Sequence, residues 1–440
     1  MDGTAANSAQ DIRAAIEHGP MTAFQILAVG ICWTINMLDG VDILAISFTA
    51  PEISAEWGVT PAALGVVFSA GFFGMVTGSL VLAPIGDYVG RRWTILGGLV
   101  VITASMLATA FVQSTPALVA ARAATGTGIG VILASLTTVV AEYTSNKHRS
   151  FAISFMHMGY PVGAVLSGLI AVYLIGAFGW RAVFIFGGVA SAVMIPLVFV
   201  FLPESVSFLC DKQPQGALQR LNRILKRMGR PAIAAMPPKP EKSAGASISV
   251  VELFTPAYFL PTLALWISFF LCMMALYFLL SWTPTVVVDS GLTADQGRLA
   301  GVLMNVGGAF LMFMIGWLSV RFDLTRLIQT YLILSAICIM IFAAAPLPTF
   351  LLMVFAALTG FEMSGLVGLY SVAARLYPTH MRNTGVGWAI GVGRWGAVFA
   401  PMAAGWMIAA GLERWSYFLA LAAVPAFIAA LVVPFIRKRA

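Results

Sequence analysis

Twelve apolar runs follow one another along this 440-residue chain, and they restrict it to folds that cross a lipid bilayer. A helix needs about 20 consecutive apolar residues to span the hydrocarbon core. Hydrophobic residues make up 60% of the sequence and charged residues only 10%, against about 25% in soluble domains. We therefore expect an all-α polytopic membrane protein with twelve transmembrane helices. The runs are centred near Ile35, Gly74, Ser105, Ile132, Val165, Ala192, Leu271, Ala309, Ile337, Leu358, Gly396 and Ala426.

The basic residues are distributed unevenly between the loops. Of the 25 lysines and arginines, Arg181, Arg298 and Arg414 fall in loops on one side, and Arg122 and Arg394 fall within apolar runs. The remaining residues lie on the other side, which the positive-inside rule assigns to the cytoplasm. We expect both termini to be cytoplasmic. The net charge of +7 then sets orientation and does not indicate a nucleic-acid partner. No cleavable signal peptide is predicted, because the first residues lack a basic start and a short apolar core.

A polar, basic stretch divides the apolar runs into two groups of six. Within it, Leu218, Leu221, Leu225 and Met228 share one face of a predicted helix that is typical of helices lying on a membrane surface. Two groups of six predict two bundles that move against each other around a central site. The predicted boundaries are 1–21 for a cytoplasmic N-terminal segment, 22–205 for the first six-helix bundle, 206–255 for the central loop, 256–436 for the second bundle and 437–440 for a basic tail.

Acidic residues occur within the apolar runs at three positions. Asp39 and Asp42 are three residues apart and share a helix face, and Gly40 lets a neighbouring backbone or ligand approach them. Ionised carboxylates are costly at this depth, so they normally face a protein interior or a water-filled cavity and have a function there. Glu362 is the other acid predicted deep in the membrane. Either a proton- or substrate-binding role or a permanent hydrogen bond to a neighbouring helix fits its position.

Two arginines and a histidine also lie within apolar runs. Arg122, in a glycine-rich stretch, either extends to the interface or pairs with an acid or an anionic ligand in a cavity. Arg394 lies in the middle of the eleventh run, where a cation cannot be discarded by deprotonation and needs an anion. His157 is either a titrating group or an interhelical hydrogen-bonding residue, and Tyr160 in the same run is a further candidate.

A charged turn follows the second apolar run and resembles a cytoplasmic signature of the major facilitator superfamily. The matching residues are Asp87, Gly90, Arg91 and Arg92. Ala83 and Tyr88 stand where the signature has glycine and arginine. An acid and two cations at a membrane surface can form ion pairs in one conformation and break them in another. Two arginines alone would do no more than anchor the topology.

Two further features bear on this charged turn. Glu142, at the inner end of the fourth run, matches a position that is often acidic in the superfamily, and it also fits a surface charge cluster. The corresponding turn of the second half has Val320 in place of the aspartate and Asp323 in place of the glycine. We therefore expect the first half to dominate gating.

The resemblance becomes more specific in the segment between the tenth and eleventh runs. Residues from Leu376 to Trp388 and from Gly391 to Pro401, the aspartate pair around Gly40, and the Ser-Trp-Thr-Pro-Thr stretch containing Trp282 resemble the aromatic acid:proton symporter family of the major facilitator superfamily. The resemblance covers essentially all twelve runs. It implies the major facilitator fold and uptake of a small aromatic carboxylate of the benzoate, hydroxybenzoate or lignin-derived type, with protons, across a bacterial inner membrane.

Our hypothesis from the sequence is proton-coupled import by alternating access. A buried carboxyl favours its neutral form, so it can take a proton from one side and release it to the other. The candidates for proton coupling are Asp39, Asp42 and Glu362. Those for substrate binding are Arg394, Arg122, His157, Tyr160 and Trp282. The expected partners are an aromatic acid anion, protons and the lipid bilayer, and we expect a functional monomer.

Other functions stay open from the sequence. The same fold could carry an aliphatic dicarboxylate or a sugar acid, or expel a drug in exchange for protons. A membrane receptor that does not transport is less compatible, because no signalling domain follows the apolar runs. An enzyme is not expected, since no nucleophile and base pair or metal-ligand cluster occurs. The scattered cysteines predict neither a disulfide framework nor a metal site, and no cofactor is expected.

Overall fold

The computed structural model describes Ile16 and residues 19–238, 250–344, 347–377 and 381–436, and over these residues the regular structure is helical, without strands. The first half contains α1 (Ala23–Trp57), α2 (Pro61–Val89), α3 (Arg91–Phe111), α4 (Thr115–Tyr143), α5 (Asn146–Phe178) and α6 (Arg181–Phe201). Two short helices follow, α7 (Val206–Lys212) and α8 (Ala217–Arg227). The second half contains α9 (Phe259–Asp289), α10 (Ala294–Leu318), α11 (Leu324–Ala344), α12 (Thr349–Leu358 and Phe361–Leu376), α13 (Arg382–Ala409) and α14 (Arg414–Ile436).

Eleven helices in the described part of the chain are long and apolar enough to cross a membrane. The twelfth long helix, α13, has 28 residues but contains several glycines and Arg394, which lower its apolar character. It packs along both α2 and α9, so it belongs to the same helical bundle. The expected all-α polytopic fold is confirmed. The predictions for residues 1–15, the linker residues 239–249, Pro378–His380 and the tail 437–440 fall outside the described residues.

Close packing between helices of the first half depends on glycine. A β-carbon on Gly40 of α1 would overlap the carbonyl oxygen of Tyr160 in α5. A β-carbon on Gly74 or Gly78 of α2 would overlap carbonyl oxygens of α4. Small residues are the usual means by which membrane helices bring their backbones together. The position of α1 against α5 and of α2 against α4 is therefore set by these glycines.

The short helix α8 occupies the segment for which a basic amphipathic helix was predicted. Its apolar residues Leu221, Ile224 and Leu225 are buried by the protein itself. The basic side chains of the helix are exposed, and the guanidinium of Arg227 lies 5.4 Å from the ring centre of Phe24 at the start of the first half. The helix therefore packs on the protein with its charged side outward.

Candidate functional site

The two halves of the molecule meet mainly along three helix pairs, with a cleft between them. α2 packs against α13, α5 against α10, and α1 against α9. The cleft is walled by parts of α1, α2, α4 and α9, and Ser47, Phe72, Met75 and Arg122 are among its lining residues. Residues from both halves therefore reach the same central space.

The cleft is closed at the end of the molecule where α1 turns into α2, which we call the α1–α2 end. Arg298 of α10 forms an ion pair with Glu52 of α1, and its Nε lies 3.4 Å from the carbonyl oxygen of Phe48. Only 3% of Arg298 is exposed, while Glu52 is partly exposed, so the arginine end of this ion pair between the halves is buried. The Oγ of Ser47 lies 2.7 Å from the carbonyl oxygen of Leu280 in α9. Charged and polar contacts thus join the two halves here.

Trp282 belongs to the same closing layer. Its indole packs edge-on against Phe68 of α2, with ring centres 5.3 Å apart, and its Nε1 donates to the carbonyl oxygen of Pro401 at 3.0 Å. The side chain is almost fully buried. The structure therefore places this predicted substrate-binding residue at the contact between the halves.

The predicted charged residues of the first half lie together on α1 and α4. Arg122 donates from Nη2 to the carbonyl oxygen of Asp42 at 2.8 Å, and its guanidinium lies within electrostatic range of the Asp42 carboxyl. Ser191 of α6 lies 3.5 Å from the other face of that carboxyl. Asp39 is also buried, but neither of its carboxyl oxygens has a hydrogen-bond partner among the described residues, although Asn36 lies alongside. Asp42 therefore has the charge of Arg122 nearby, although its Oδ1 also lacks a hydrogen-bond partner among the described residues, whereas Asp39 has no cation of this kind nearby.

Tyr160 and His157 of α5 differ in their surroundings. The hydroxyl of Tyr160 is buried without a hydrogen-bond partner in the described part of the chain, and it lies within electrostatic range of Asp39 and of Tyr277 in the other half. The side chain of His157 is exposed. Of these two predicted residues, Tyr160 is the one for which the described residues show a nearby buried acid.

Arg394 of α13 lies at the centre of the contact between the halves. Its Nη1 donates to the Oγ of Ser79 in α2 at 2.7 Å and lies 3.4 Å from the carbonyl oxygen of Met75. The phenol groups of Tyr277 and Tyr370 lie within electrostatic range of its guanidinium. No carboxylate pairs with Arg394 among the described residues. It is a partly buried cation without an anion.

The two tyrosines near this arginine each pack against a phenylalanine. Phe72 of α2 packs against Tyr277 of α9 with ring centres 4.6 Å apart, and Phe269 of α9 packs against Tyr370 of α12 at 5.0 Å. Aromatic pairs of this kind stabilise each other and offer flat apolar surface to a ligand. A cation with tyrosine rings beside it can bind the two parts of an aromatic acid.

Glu362 lies away from these residues, inside the second half. Its Oε2 accepts a hydrogen bond from Ser335 of α11 at 2.8 Å, and the thiol of Cys272 in α9 lies beside it. The other carboxyl oxygen is buried without a partner among the described residues. The structure does not bring Glu362 into contact with Asp39 or Arg394.

The charged turn between α2 and α3 makes its contacts within the first half. Asp87 pairs with Arg91, and Arg92 donates from Nη2 to the carbonyl oxygen of Phe199 in α6. Gly90 has a φ of +106°, which favours glycine. These interactions connect the turn to the end of α6.

Two glutamates support this region. The backbone N–H of Arg92 donates to Glu204 at 3.1 Å, and Glu142 accepts from the Oγ of Ser205 at 2.7 Å. Burial raises the pKa of the Glu204 carboxyl above its ordinary value, while the backbone N–H groups of Ser205 and Arg92 act in the opposite direction. Glu142 and Glu204 therefore anchor the segment after α6 next to the charged turn.

The sequence analysis missed three residues around Arg394. Tyr277 was visible as part of an aromatic stripe in the seventh run, but such stripes more often contact lipid. Tyr370 and Ser79 gave no signal beyond being polar groups within apolar runs. Their contact with Arg394 joins positions that are distant in the sequence, and only the tertiary structure reveals it.

A family model of the Major Facilitator Superfamily matches residues 32–345 and 265–440 of the chain. Among solved structures, the xylose transporter XylE of Escherichia coli in a partially occluded inward-open conformation shares the fold. The TM-score is 0.73, the identity is 15%, and the alignment covers 93% of this chain and 97% of that one. The twelve long helices in two halves are therefore those of a major facilitator transporter, not of an enzyme.

Curated relatives narrow the family. The gallate transporter of Pseudomonas putida is 34% identical over 424 residues, covering 96% of this chain and 94% of its own length. The 4-hydroxybenzoate transporter PcaK of Acinetobacter baylyi is 33% identical over 433 residues, covering 97% and 94%. The chain belongs to the aromatic acid:proton symporter family of the major facilitator superfamily. The resemblance inferred from the sequence is confirmed.

Proposed function

We propose that this transporter imports a small aromatic carboxylate, of the benzoate, hydroxybenzoate or lignin-derived type, together with protons by alternating access. The observation that carries the proposal is Arg394, a cation at the contact between the halves that bonds to α2, has two tyrosine hydroxyl groups within electrostatic range and has no acidic partner in the described chain. A buried guanidinium needs an anion, and a carboxylate matches its planar donor geometry. The names of the gallate and 4-hydroxybenzoate relatives support an aromatic ring on that anion.

The same residues support a division of roles. Arg394 binds the carboxylate, while Tyr277, Tyr370 and Phe72 contact the ring. Tyr160 extends from the first half toward the same space, where its unpaired hydroxyl can donate to or accept from a polar ring substituent. Trp282 and the Arg298 ion pair close the α1–α2 end over the bound substrate. Arg122, which faces Asp42, balances charge rather than binding the carboxylate.

Proton coupling is assigned to the acids of the first half. Asp39 is buried without a hydrogen-bond partner in the described chain, and a carboxyl in such surroundings favours its neutral form until water reaches it. Opening the cleft to one side lets Asp39 gain a proton, and opening it to the other lets it lose one. Asp42 holds Arg122 and adjusts the charge near Asp39. Glu362 is a second proton-binding candidate that acts inside the second half.

The cellular setting follows from the same proposal. The transporter works in a bacterial inner membrane as a monomer, with both termini and the α7–α8 segment in the cytoplasm. The α1–α2 end then faces the outside, and the closed arrangement there corresponds to a state that does not admit substrate from the outside. The charged turn, with Glu142, lies on the cytoplasmic side and stabilises the states in which that side is closed.

Uptake into proteoliposomes tests this function. Labelled benzoate, 4-hydroxybenzoate, gallate, succinate and gluconate are offered with and without an inward proton gradient. We expect gradient-dependent accumulation of one or more of the aromatic acids. Accumulation of succinate or gluconate alone would contradict the aromatic substrate, and equal uptake with and without the gradient would contradict proton coupling.

A further inference from the structure

We infer that Ser79 is a positioning residue that orients Arg394 so that one edge of its guanidinium is free to bind the substrate carboxylate. The inference rests on the proposed function, because it assigns Arg394 to the substrate. It adds a residue of the opposite half to the binding site. It also identifies which nitrogen atoms of Arg394 make the contact.

The hydrogen bonds of Arg394 are confined to one nitrogen. Nη1 donates to Ser79 Oγ at 2.7 Å, and the carbonyl oxygen of Met75 lies 3.4 Å from the same atom. Nε and Nη2 have no hydrogen-bond partner among the described residues, and neither is a fully buried unpaired atom. These two nitrogens form the edge that binds a carboxylate through two parallel hydrogen bonds. One side of the guanidinium is therefore anchored and the carboxylate-binding side is open.

The local structure of α2 holds Ser79 in place for this contact. The chain forms a π-helix over Gly78–Leu82, an arrangement that is rare and often found at functional sites. The helix α4 packs closely against the same stretch of α2: a β-carbon on Gly78 would overlap the carbonyl oxygen of Thr127, and one on Gly130 of α4 would overlap that of Met75. Because α4 supports α2, Ser79 and the Met75 carbonyl are fixed relative to Arg394.

This arrangement has two consequences. The flexible arginine side chain loses part of its freedom before the substrate arrives, which lowers the entropic cost of binding. The substrate would also be held by a residue of the second half that is itself attached to the first half. Binding of the substrate at Arg394 therefore acts on both halves through the α2–α13 contact.

Three variants of α2 test the inference by isothermal titration calorimetry of the full-length protein in detergent. Ser79→Ala removes the hydroxyl, and Ser79→Thr retains a hydroxyl at the same position. Ser69→Ala is the matched control, because Ser69 is a buried serine of the same helix whose hydroxyl has no partner among the described residues. The probe is 4-hydroxybenzoate, with succinate titrated in parallel.

We expect Ser79→Ala to weaken binding of the carboxylate by about tenfold, because Arg394 is no longer held in the orientation that binds the carboxylate. Ser79→Thr and Ser69→Ala should bind within about twofold of the unmodified protein. The ligand-free Ser79→Ala protein should still unfold in one cooperative transition, with a midpoint only slightly below that of Ser69→Ala because one partly exposed hydrogen bond is lost. The loss of affinity is then one of positioning and not of folding.

The inference would be overturned if Ser79→Ala bound as tightly as the unmodified protein, or if Ser79→Thr lost as much affinity as Ser79→Ala. A protein that binds succinate and not 4-hydroxybenzoate would contradict the aromatic substrate alone. The effect of the Ser79 substitutions would then be measured from the affinity of the variants for succinate. Failure of the Ser79 inference and failure of the proposed aromatic substrate therefore give different results.

Discussion

Asp39 and Asp42 are neighbours on one face of α1, yet their surroundings differ. Asp42 has the guanidinium of Arg122 and the hydroxyl of Ser191 nearby, whereas both carboxyl oxygens of Asp39 lack hydrogen-bond partners in the described chain. A nearby cation favours the ionised form of a buried carboxyl and so offsets part of the effect of burial, whereas a buried carboxyl without a partner favours its neutral form. Asp39 is therefore the better proton carrier, and Asp42 is better suited to keep Arg122 paired.

Replacing each aspartate by asparagine should separate these roles. Asp39→Asn should abolish proton-driven accumulation of 4-hydroxybenzoate while leaving the thermal unfolding midpoint close to that of the unmodified protein. Asp42→Asn should also abolish accumulation. In addition it should destabilise the protein by about 3 to 5 kcal/mol, because Arg122 is left buried without its counter-charge. Accumulation assays in proteoliposomes and thermal unfolding in detergent measure the two effects.

The double variant Asp42→Asn with Arg122→Gln supplies the control. It removes both charges together, so stability should recover in part while transport stays absent. Undiminished accumulation in Asp39→Asn would refute its role as the proton carrier. Equal unfolding midpoints for Asp39→Asn and Asp42→Asn would refute the difference between the two carboxylates.

At the scale of single elements, the contact between α1 and α5 places Asp39 beside Tyr160. Gly40 is required there, because the α5 backbone occupies the space that a β-carbon would need. Gly30 lies on the same helix, and a β-carbon there would have no neighbour within 4 Å. The two glycines therefore separate the effect of close packing from that of helix propensity.

We expect Gly40→Ala to destabilise the protein by about 1 to 3 kcal/mol, since α1 must move away from α5. Gly30→Ala should leave stability unchanged or slightly raise it, because alanine is the better helix former. Thermal unfolding of the purified variants measures the difference. An unfolding midpoint of Gly40→Ala equal to that of Gly30→Ala would show that the α1–α5 contact tolerates separation.

The elements themselves could be predicted well from the sequence. Apolar length identified the membrane helices, including α13, which is only moderately apolar but lies among the other runs. Acidic and basic residues within those runs, such as Asp39 and Arg394, were recognised as candidates because a charge inside the membrane is costly and normally has a partner or a function. The sequence could not predict which side chain lies next to each of these charged residues. Arg122 and Arg394 give the same sequence signal, yet one faces an aspartate and the other a serine.

Aromatic residues show the same limit. Apolar patterning does not separate a ring that faces lipid from one that faces a cleft, because both positions favour the same residue types. Tyr277 lies beside Arg394, whereas Trp282, one and a half turns further along α9, packs between the halves. The difference comes from the packing of α9 against α13 and α2, which connects residues more than 100 positions apart.

At the scale of the whole molecule, the halves are joined at the α1–α2 end by the ion pair of the buried Arg298 with Glu52. For alternating access this contact must break when the transporter opens at that end. A second ion pair, between Arg181 and Glu56 at 2.9 Å, lies at the same end but within the first half. It offers a matched comparison, since breaking it should not separate the halves.

Arg298→Gln should shift the population toward states that are open at the α1–α2 end. Spin labels at the exposed positions Ala55 and Leu299, one in each half, would report this as longer distances in double electron–electron resonance. Arg181→Gln should leave the distance distribution unchanged. Identical distributions for the two variants would show that the Arg298 ion pair does not control closure.

The central claim, that an aromatic carboxylate and protons move together, is tested most directly by substrate-driven proton movement. Proteoliposomes with a trapped pH dye and no imposed gradient receive 4-hydroxybenzoate outside, and protein-free liposomes correct for permeation of the neutral acid. We expect the lumen to acidify as the substrate enters, and Asp39→Asn to remove this acidification. Substrate entry without acidification, or alkalinisation of the lumen, would contradict the claim.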